Sequence, residues 1–434
     1  MSLLEALDTK RKALRINLDE HIYGSFAEIG AGQEVARNFF TAGAASGTIA
    51  KTMSAYDMAF SNAIYGLEPD GRYVSQSRIL KMLDHEFSLL PERLVDTKYI
   101  NKTFFAFADT VATLNFTKDN DPNAWLGIRF QLYPGGESNH IMFHVRLLDN
   151  DSGLQQRVLG TLGVNLIYGA FFYRDDYRQM IESFVDNVSP GSVEIDLIQV
   201  VGPDFPDVDN KLLNLYLIAK GYSSATIFTA DGGIYHAKDY LYKKDLLILR
   251  TRFLQKSLPD RSISEAALEQ FKSREKTDED HMVFLTELAL EKPFTAEEEK
   301  TDFTTILDRI NILNTAGEIV MVSNFARHHN LAKYLSRFKP RLVRIMISAK
   351  SLSHIFNSVH YGEENYTTEL LSYISNLFCQ EVQLYVYPEI NNVTGARLTL
   401  TSIPICPEAQ SLFDFLLLNN YLKEVVPVES ANKK

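Results

Sequence analysis

Beyond residue 281 the chain alternates short apolar runs with helix-periodic segments, and several of the runs are apolar at every position. Ile319-Val320-Met321-Val322 has no side to show to water. A strand of this kind must be covered on both faces, which calls for a parallel sheet with helices packed above and below it. The pattern predicts strands at 281–290, 318–324 and 342–348, and helices at 302–313, 331–338 and 367–378. Segments 382–387 and 396–402 read as a hairpin around 391–395, and a last helix is expected over 408–421.

The preceding residues follow a different rule. Segments 125–133 and 140–148 alternate in polarity and flank Pro134-Gly135-Gly136, the strongest hairpin signal in the chain. Helices are expected over 33–66, which is rich in small residues, over 75–90 with Ser75 as cap, and over 153–172, 176–188 and 209–220. Strands are expected at 104–116, 193–201, 225–229 and 245–253. The chain therefore reads as α/β in class: an α+β region over 1–255, a polar linker over 256–280, and an α/β region with a largely parallel sheet over 281–434.

Composition narrows the function classes. The 434 residues carry a net charge of −11, which argues against a large nucleic-acid-binding face. There is no apolar run long enough to cross a membrane, no signal-peptide core and no barrel-like alternation. Cys379 and Cys406 show no metal or disulfide spacing and read as two buried thiols in a reducing compartment. The expectation is a cytoplasmic protein.

The most motif-like stretch is His21-Ile22-Tyr23-Gly24-Ser25-Phe26-Ala27-Glu28-Ile29-Gly30-Ala31-Gly32-Gln33, ahead of a helix. Glycines at a helix start favour phosphate, because main-chain N–H groups and the helix dipole both attract an anion. Gly30-Ala31-Gly32 resembles the start of a dinucleotide fingerprint without its third glycine. It also resembles an incomplete E-x-G-x-G motif of methyltransferases. A phosphate loop does not fit, since Gly43 and Gly47 stand too close and Lys51-Thr52 lie at the wrong spacing.

A closer resemblance is to nucleotidyltransferases of the nicotinate-nucleotide adenylyltransferase type, whose motif is G-G-S-F-D-P-I-H-x-G-H. It aligns without a gap on residues 23–33, where Gly24, Ser25, Phe26, Ile29 and Gly32 match. The motif's two histidines, which in that family face the nucleotide phosphates, are replaced here by Gly30 and Gln33. The family's second signature, I-S-S-T-x-x-R, has only Ile347-Ser348-Ala349-Lys350-Ser351 as a counterpart. Over its whole length the chain is similar to a widespread bacterial family in which E-I-G-A-G-Q-E-V-A-R (28–37) and A-Y-D-M (55–58) recur. Its members bear the names nicotinate-nucleotide adenylyltransferase or TonB-dependent receptor, and the resemblance implies no established activity.

Other groupings admit two accounts each. One side of the hairpin gathers Arg129, Gln131, His140, His144 and Arg146, either an anion site or the solvated face of an antiparallel sheet. His140 and His144 are about 13 Å apart on one strand, too far to share a metal ion, and no metal site is expected. Asp204, Asp207, Asp209 and Asn210 form either a carboxylate cluster or a turn that caps a helix. Asp231-Gly232-Gly233 with His236, Lys238 and Asp239 is either an acid/base pair or a tight turn. Asp109, inside an apolar run, must be paired or shifted in pKa if buried. His328-His329 sit at a strand-to-helix turn, where a histidine is more often structural than catalytic.

Two functions emerge as expectations. One is a nucleotide- or phosphorylated-ligand-binding protein, open to nucleotidyltransferase-like group transfer, with a site at Gly24, Ser25, Gly30, Gly32 and Gln33 aided by Arg129, His140, His144 and Arg146. The other is a non-catalytic interaction or scaffold protein whose glycine-rich segment packs helices. No cofactor is specified; a homo-oligomer is compatible with either, and neither a nucleic acid nor a membrane is an expected partner.

Overall fold

The computed structural model describes residues 7–68, 71–94, 97–252, 261–290, 298–357, 365–379, 381–390 and 395–426. The chain divides into two compact units, Met1–Ser223 and Ser224–Lys434. The boundary therefore falls well before the polar stretch 256–280. That stretch contains a helix within the second unit, and it looks like a linker because the helix buries only Ala266, Ala267 and Phe271. Residues 256–260 of the expected linker lie outside the described residues.

The first unit runs α1 (Thr9–Asn17), β1 (Ile22–Ile29), α2 (Glu34–Ala42), β2 (Ile49–Ser54), α3 (Met58–Tyr65), α4 (Gln76–Arg93), β3 (Thr103–Ala112), β4 (Asn123–Gln131), β5 (Ser138–Leu147), α5 (Ser152–Phe172), α6 (Tyr177–Phe184), β6 (Val193–Val201) and α7 (Asn210–Ala219). Its six-stranded sheet has the order β2-β1-β3-β4-β5-β6. The first three strands are parallel and the rest antiparallel, with the expected hairpin as β4 and β5. The helix expected over 33–66 is instead α2 and α3 with β2 between them. Ile49-Ala50-Lys51-Thr52-Met53-Ser54 is an edge strand, half-covered and with no alternation to betray it.

Helix starts follow simple capping chemistry. Asp57, Ser75, Asp151, Asp176 and Asp209 each accept a first-turn amide. So Asp209 serves as the cap of α7, while Asp204 accepts from Asn139. Lys12 on α1 is fully buried, and its ammonium donates to Asn165 Oδ1, Ser183 O and Asp186 Oδ2 at 2.8, 3.2 and 2.7 Å. All three of its hydrogens are thereby used, which ties α1 to α5 and α6.

Glycine sets the approach of α5 to α2. A Cβ on Gly163 would lie 2.4 Å from Val35 Cγ2. Gly163→Ala is expected to cost about 1–3 kcal/mol through overpacking, read as a lower unfolding midpoint in urea. An unchanged midpoint would show that these helices part without penalty.

The second unit runs β7 (Ala225–Phe228), β8 (Ile234–Tyr235), α8 (Ala237–Leu241), β9 (Asp245–Arg252), α9 (Arg261–Glu275), β10 (Met282–Ala289), α10 (Glu298–Thr315), β11 (Val320–Ser323), α11 (His328–Ser336), β12 (Val343–Ser348), α12 (Ala349–Ile355), α13 (Tyr366–Leu377), β13 (Val382–Tyr387), β14 (Glu389–Ile390), β15 (Arg397–Leu398), α14 (Gln410–Leu418) and β16 (Leu422–Glu424). Its eight-stranded sheet has the order β16-β13-β12-β9-β10-β11-β7-β8. The six strands from β16 to β11 are parallel, and β7 and β8 extend that sheet antiparallel.

Alternate residues of β9 serve opposite faces, as the apolar runs require. Leu247 and Leu249 pack with Ala266, Ala267 and Phe271 of α9. Leu246 and Ile248 belong to the core formed with α11, α12, α13 and α14. The hairpin expected between 382–387 and 396–402 does not form. β13 lies inside the parallel sheet between β12 and β16, and β15 pairs only with the two-residue β14. Of its turn, residues 391–394 lie outside the described residues.

Candidate anion-binding crevice

The sheet of the second unit is doubly wound. From β9 the chain steps outward to β10 and β11, then returns across β9 to build β12, β13 and β16 on its other side. The winding reverses between β9 and β12. Connections leaving the carboxyl ends of those two strands diverge, and open sheets of this kind hold ligands in the gap that results.

A cavity of about 250 Å³ lies there. Its wall includes Arg252 from the end of β9, Arg327 and His328 from the start of α11, Ser351 and His354 from α12, and Tyr373 from α13. Four of these side chains are basic and none is a carboxylate. Arg252 is the last residue of β9 and Arg327 and His328 open α11, whereas His354 comes from the last turn of α12 and Tyr373 from within α13. Ser348 ends β12 and caps α12, accepting from Ser351 N at 3.1 Å.

A buried ion pair anchors the loop that leads into this wall. Glu287 on β10 is 0% exposed and accepts Arg250 Nη1 on both oxygens at 2.8 Å. Ser323 Oγ donates to the same carboxylate at 2.6 Å. Arg250 Nη2 donates to the carbonyl of Phe325, in the loop that delivers Arg327 and His328. Burial holds the Glu287 carboxyl above its ordinary pKa even against Arg250 and Ser323. His328 is held well below the ordinary histidine value, by burial first and then by the charges of Arg250 and Arg252 and by His329. Its Nδ1 lies 2.8 Å from Tyr373 Oη, which also accepts the His328 main-chain N–H at 3.3 Å.

The residues of the N-terminal motif are placed otherwise. Gly24 lies inside β1, where a Cβ would meet the Phe105 carbonyl oxygen at 2.3 Å. Ser25 is buried, its Oγ 3.4 Å from Glu86 O. Gly30 and Gly32 have φ of 100° and 80°, conformations that favour glycine, and a Cβ on Gly30 would strike Val111 O at 2.1 Å. Gln33 precedes α2 and makes no side-chain cap bond. Instead Glu28 supplies the acceptor: its two carboxyl oxygens accept from Val35 N and Ala36 N, each at 2.9 Å. The chain's own carboxyl group thus occupies these first-turn donors.

On the hairpin, Arg129 pairs with Asp84 of α4 and stacks over Phe87. His144 Nδ1 meets Asp196 Oδ1 at 2.5 Å and Arg146 Nη1 donates to Glu194 at 2.6 Å. Gln131 bonds Phe104 N and Gly136 O. Burial first, then Arg129, lowers the pKa of His140. Arg129, His144 and Arg146 therefore have carboxylate partners from α4 and β6, which reading the hairpin by itself could not supply. Arg129 lies on the α4 side of the sheet and Glu28 on the α2 side, so the structure does not gather the two groups at one place.

Asp109 is buried, as its setting required, and stands beside Glu28 in the parallel register. Asp231 closes a tight turn by accepting from Thr229 Oγ1 and Gly233 N. Cys379 and Cys406 are free and half-buried. Of the crevice residues, only the His328-His329 pair and Ser351 stand out in the sequence. Arg252 and Arg327 carry no local signal, and only the strand order makes them neighbours.

Among the described residues no helix is long and apolar enough to cross a membrane. No protein-family model matches the chain, and no curated protein matches it. Among solved structures, the competence/damage-inducible protein CihA from Agrobacterium tumefaciens is 18% identical, with 38% of this chain and 97% of that one covered at a TM-score of 0.28. A competence-damaged protein (CinA) superfamily member from Enterobacter cloacae is 12% identical, with 39% and 98% covered and a TM-score of 0.28. Neither structure is described as a nicotinate-nucleotide adenylyltransferase or a receptor, and likenesses of this strength support no inference about ligand or activity.

Proposed function

We propose that this protein binds a compact anionic ligand, a mononucleotide or another phosphorylated small molecule, at the carboxyl ends of β9 and β12. One observation carries the reading: a cavity at the reversal of winding, walled by Arg252, Arg327, His328 and His354 and, among the described residues, by no carboxylate. In a chain of net charge −11 such a wall runs against the overall balance. Guanidinium groups suit phosphate because their N–H pairs match two of its oxygens at once. The cavity's 250 Å³ falls just under the roughly 300–1,000 Å³ of ordinary small-molecule sites, which favours a mononucleotide or sugar phosphate over a dinucleotide.

Titration calorimetry with inorganic phosphate, nucleoside monophosphates, nicotinate mononucleotide and sugar phosphates tests this directly. At least one should bind. Arg327→Ala and Arg252→Ala should each weaken that binding about tenfold or more, the loss of a hydrogen bond to a charged group. No heat from any compound, or equal affinity in both variants, would remove the reading.

A further inference from the structure

The crevice holds a second arrangement, whose meaning rests on the anion-binding reading. Tyr373 is buried, and its hydroxyl oxygen touches His328 twice: it accepts the main-chain N–H at 3.3 Å and lies 2.8 Å from Nδ1. A phenol has one hydrogen to give. That hydrogen can be given to Nδ1, which then accepts, while the oxygen takes the main-chain N–H. A neutral imidazole whose Nδ1 accepts must carry its hydrogen on Nε2. Nε2 makes no protein hydrogen bond among the described residues, and His328 lines the cavity.

We propose that Tyr373 fixes the hydrogen of His328 on Nε2 and that this uncharged N–H is donated to the anionic ligand. Tyr373 is then a positioning residue, and His328 a specificity-determining one.

The surroundings agree. Among the described residues, the charged or titratable groups around this imidazole are the Tyr373 phenol of α13, Arg250 and Arg252 from β9, Arg327 and His329 at the start of α11, and His354 on α12, with Glu287 of β10 behind Arg250. Burial comes first in keeping the ring neutral, and the charges of Arg250 and Arg252, with His329, act in the same direction. His329 is itself held below the ordinary value, by burial first and then by Arg327, Arg250 and Lys333. The two arginines would supply the charge for an anion, leaving His328 to supply direction. A neutral donor also grips equally well on both sides of the pH at which an ordinary histidine titrates.

Two measurements test this. Nitrogen-15 NMR of histidine-labelled protein without ligand should show His328 with a hydrogen on Nε2 and a bare Nδ1 across about pH 5.5–8, and Tyr373→Phe should mix the two tautomers. A hydrogen on Nδ1, or on both nitrogens at the acid end, overturns the proposal. Sulfate is the binding probe, because its own charge is constant over this range. In a His354→Gln background its affinity should change less than about twofold over the same range, whereas a cationic His328 would lose about tenfold as it deprotonates. His328→Leu should weaken sulfate about tenfold, and His328→Gln, which keeps a donor, much less. Sulfate that binds and responds to Arg327→Ala but ignores His328→Leu defeats this inference alone. Sulfate that does not bind defeats the anion-binding reading together with it.

Discussion

Glu287→Ala should lower the stability of the second unit by about 3–5 kcal/mol, the cost of leaving a buried charge without its partner. The geometry gives the reason. Arg250 is 8% exposed and places Nη1 against both carboxylate oxygens, and its other terminal nitrogen is committed to the Phe325 carbonyl. Removing the carboxylate strands a guanidinium between β9, β10 and β11, where little water can reach it, and Ser323 Oγ loses its acceptor as well. In a unit of this size the loss should appear as a melting temperature lower by about 10 °C.

The pair itself is not a large net asset, since desolvating two charges consumes most of their attraction. The double variant Arg250→Met, Glu287→Leu should therefore recover most of the lost stability while disturbing the loop that carries Arg327 and His328. The single and double variants together separate folding from function. The double variant is expected to melt near the parent yet bind phosphorylated compounds more weakly, because Phe325 O has lost its anchor. A Glu287→Ala variant that melts within about 1 kcal/mol of the parent would mean that Arg250 finds water in place of the carboxylate.

Particular residues show how much the sequence makes legible. Pro134-Gly135-Gly136 between alternating arms specifies a hairpin locally, and β4 and β5 form it. Runs such as Val320-Met321-Val322 demand cover on both faces, and the second unit provides it. β2 was not legible, because an edge strand whose residues are mostly half-covered needs no period of two. The role of β13 was missed because pairing between strands far apart in sequence leaves no local trace.

The same cause hid the crevice. Arg252 and His354 lie far apart in the chain and meet because β12 inserts beside β9. The N-terminal motif misled for the opposite reason. Its glycines and helix start are real, but the acceptor for the helix-start amides stands just before them, in the chain itself, as Glu28.

That internal carboxyl group should make the first unit lose stability as pH rises. Glu28 is 2% exposed, and burial first pushes its carboxyl up to about 7, with Glu34 adding to the shift and the amides of Ala36 and Val35 opposing it. Asp109, in register on β3, is raised well above its ordinary value by burial first, then by the Glu28 charge, against the pull of Ile29 N–H. The sign comes from proton counting. Between pH 4.5 and 7 the unfolded chain has released a proton that folded Glu28 still holds. The folded state binds more protons over that range, so unfolding free energy falls as pH rises through it. A rise from 4.5 to about 7 corresponds to about 3 kcal/mol for Glu28.

A half-buried histidine acts in the other direction. His140, with its pKa lowered, contributes stability that is present above the ordinary histidine range and is lost as pH falls. The decisive quantity is therefore the difference between the parent and Glu28→Gln, in which the histidine contributions cancel. Glutamine keeps one acceptor for the two amides and turns its NH₂ toward the other, so at pH 4.5 the variant should be less stable by about 1–2 kcal/mol. By pH 8 the parent carries the cost of an ionised, buried carboxylate and the variant does not, so the gap should close or reverse. Urea unfolding of both proteins at half-unit steps across this range measures it. A gap that stays constant, or widens toward alkaline pH, would show that Glu28 ionises freely in the folded protein. The α2 donors would then hold a full charge, stabilised by the main-chain amides that a bound phosphate would otherwise have used.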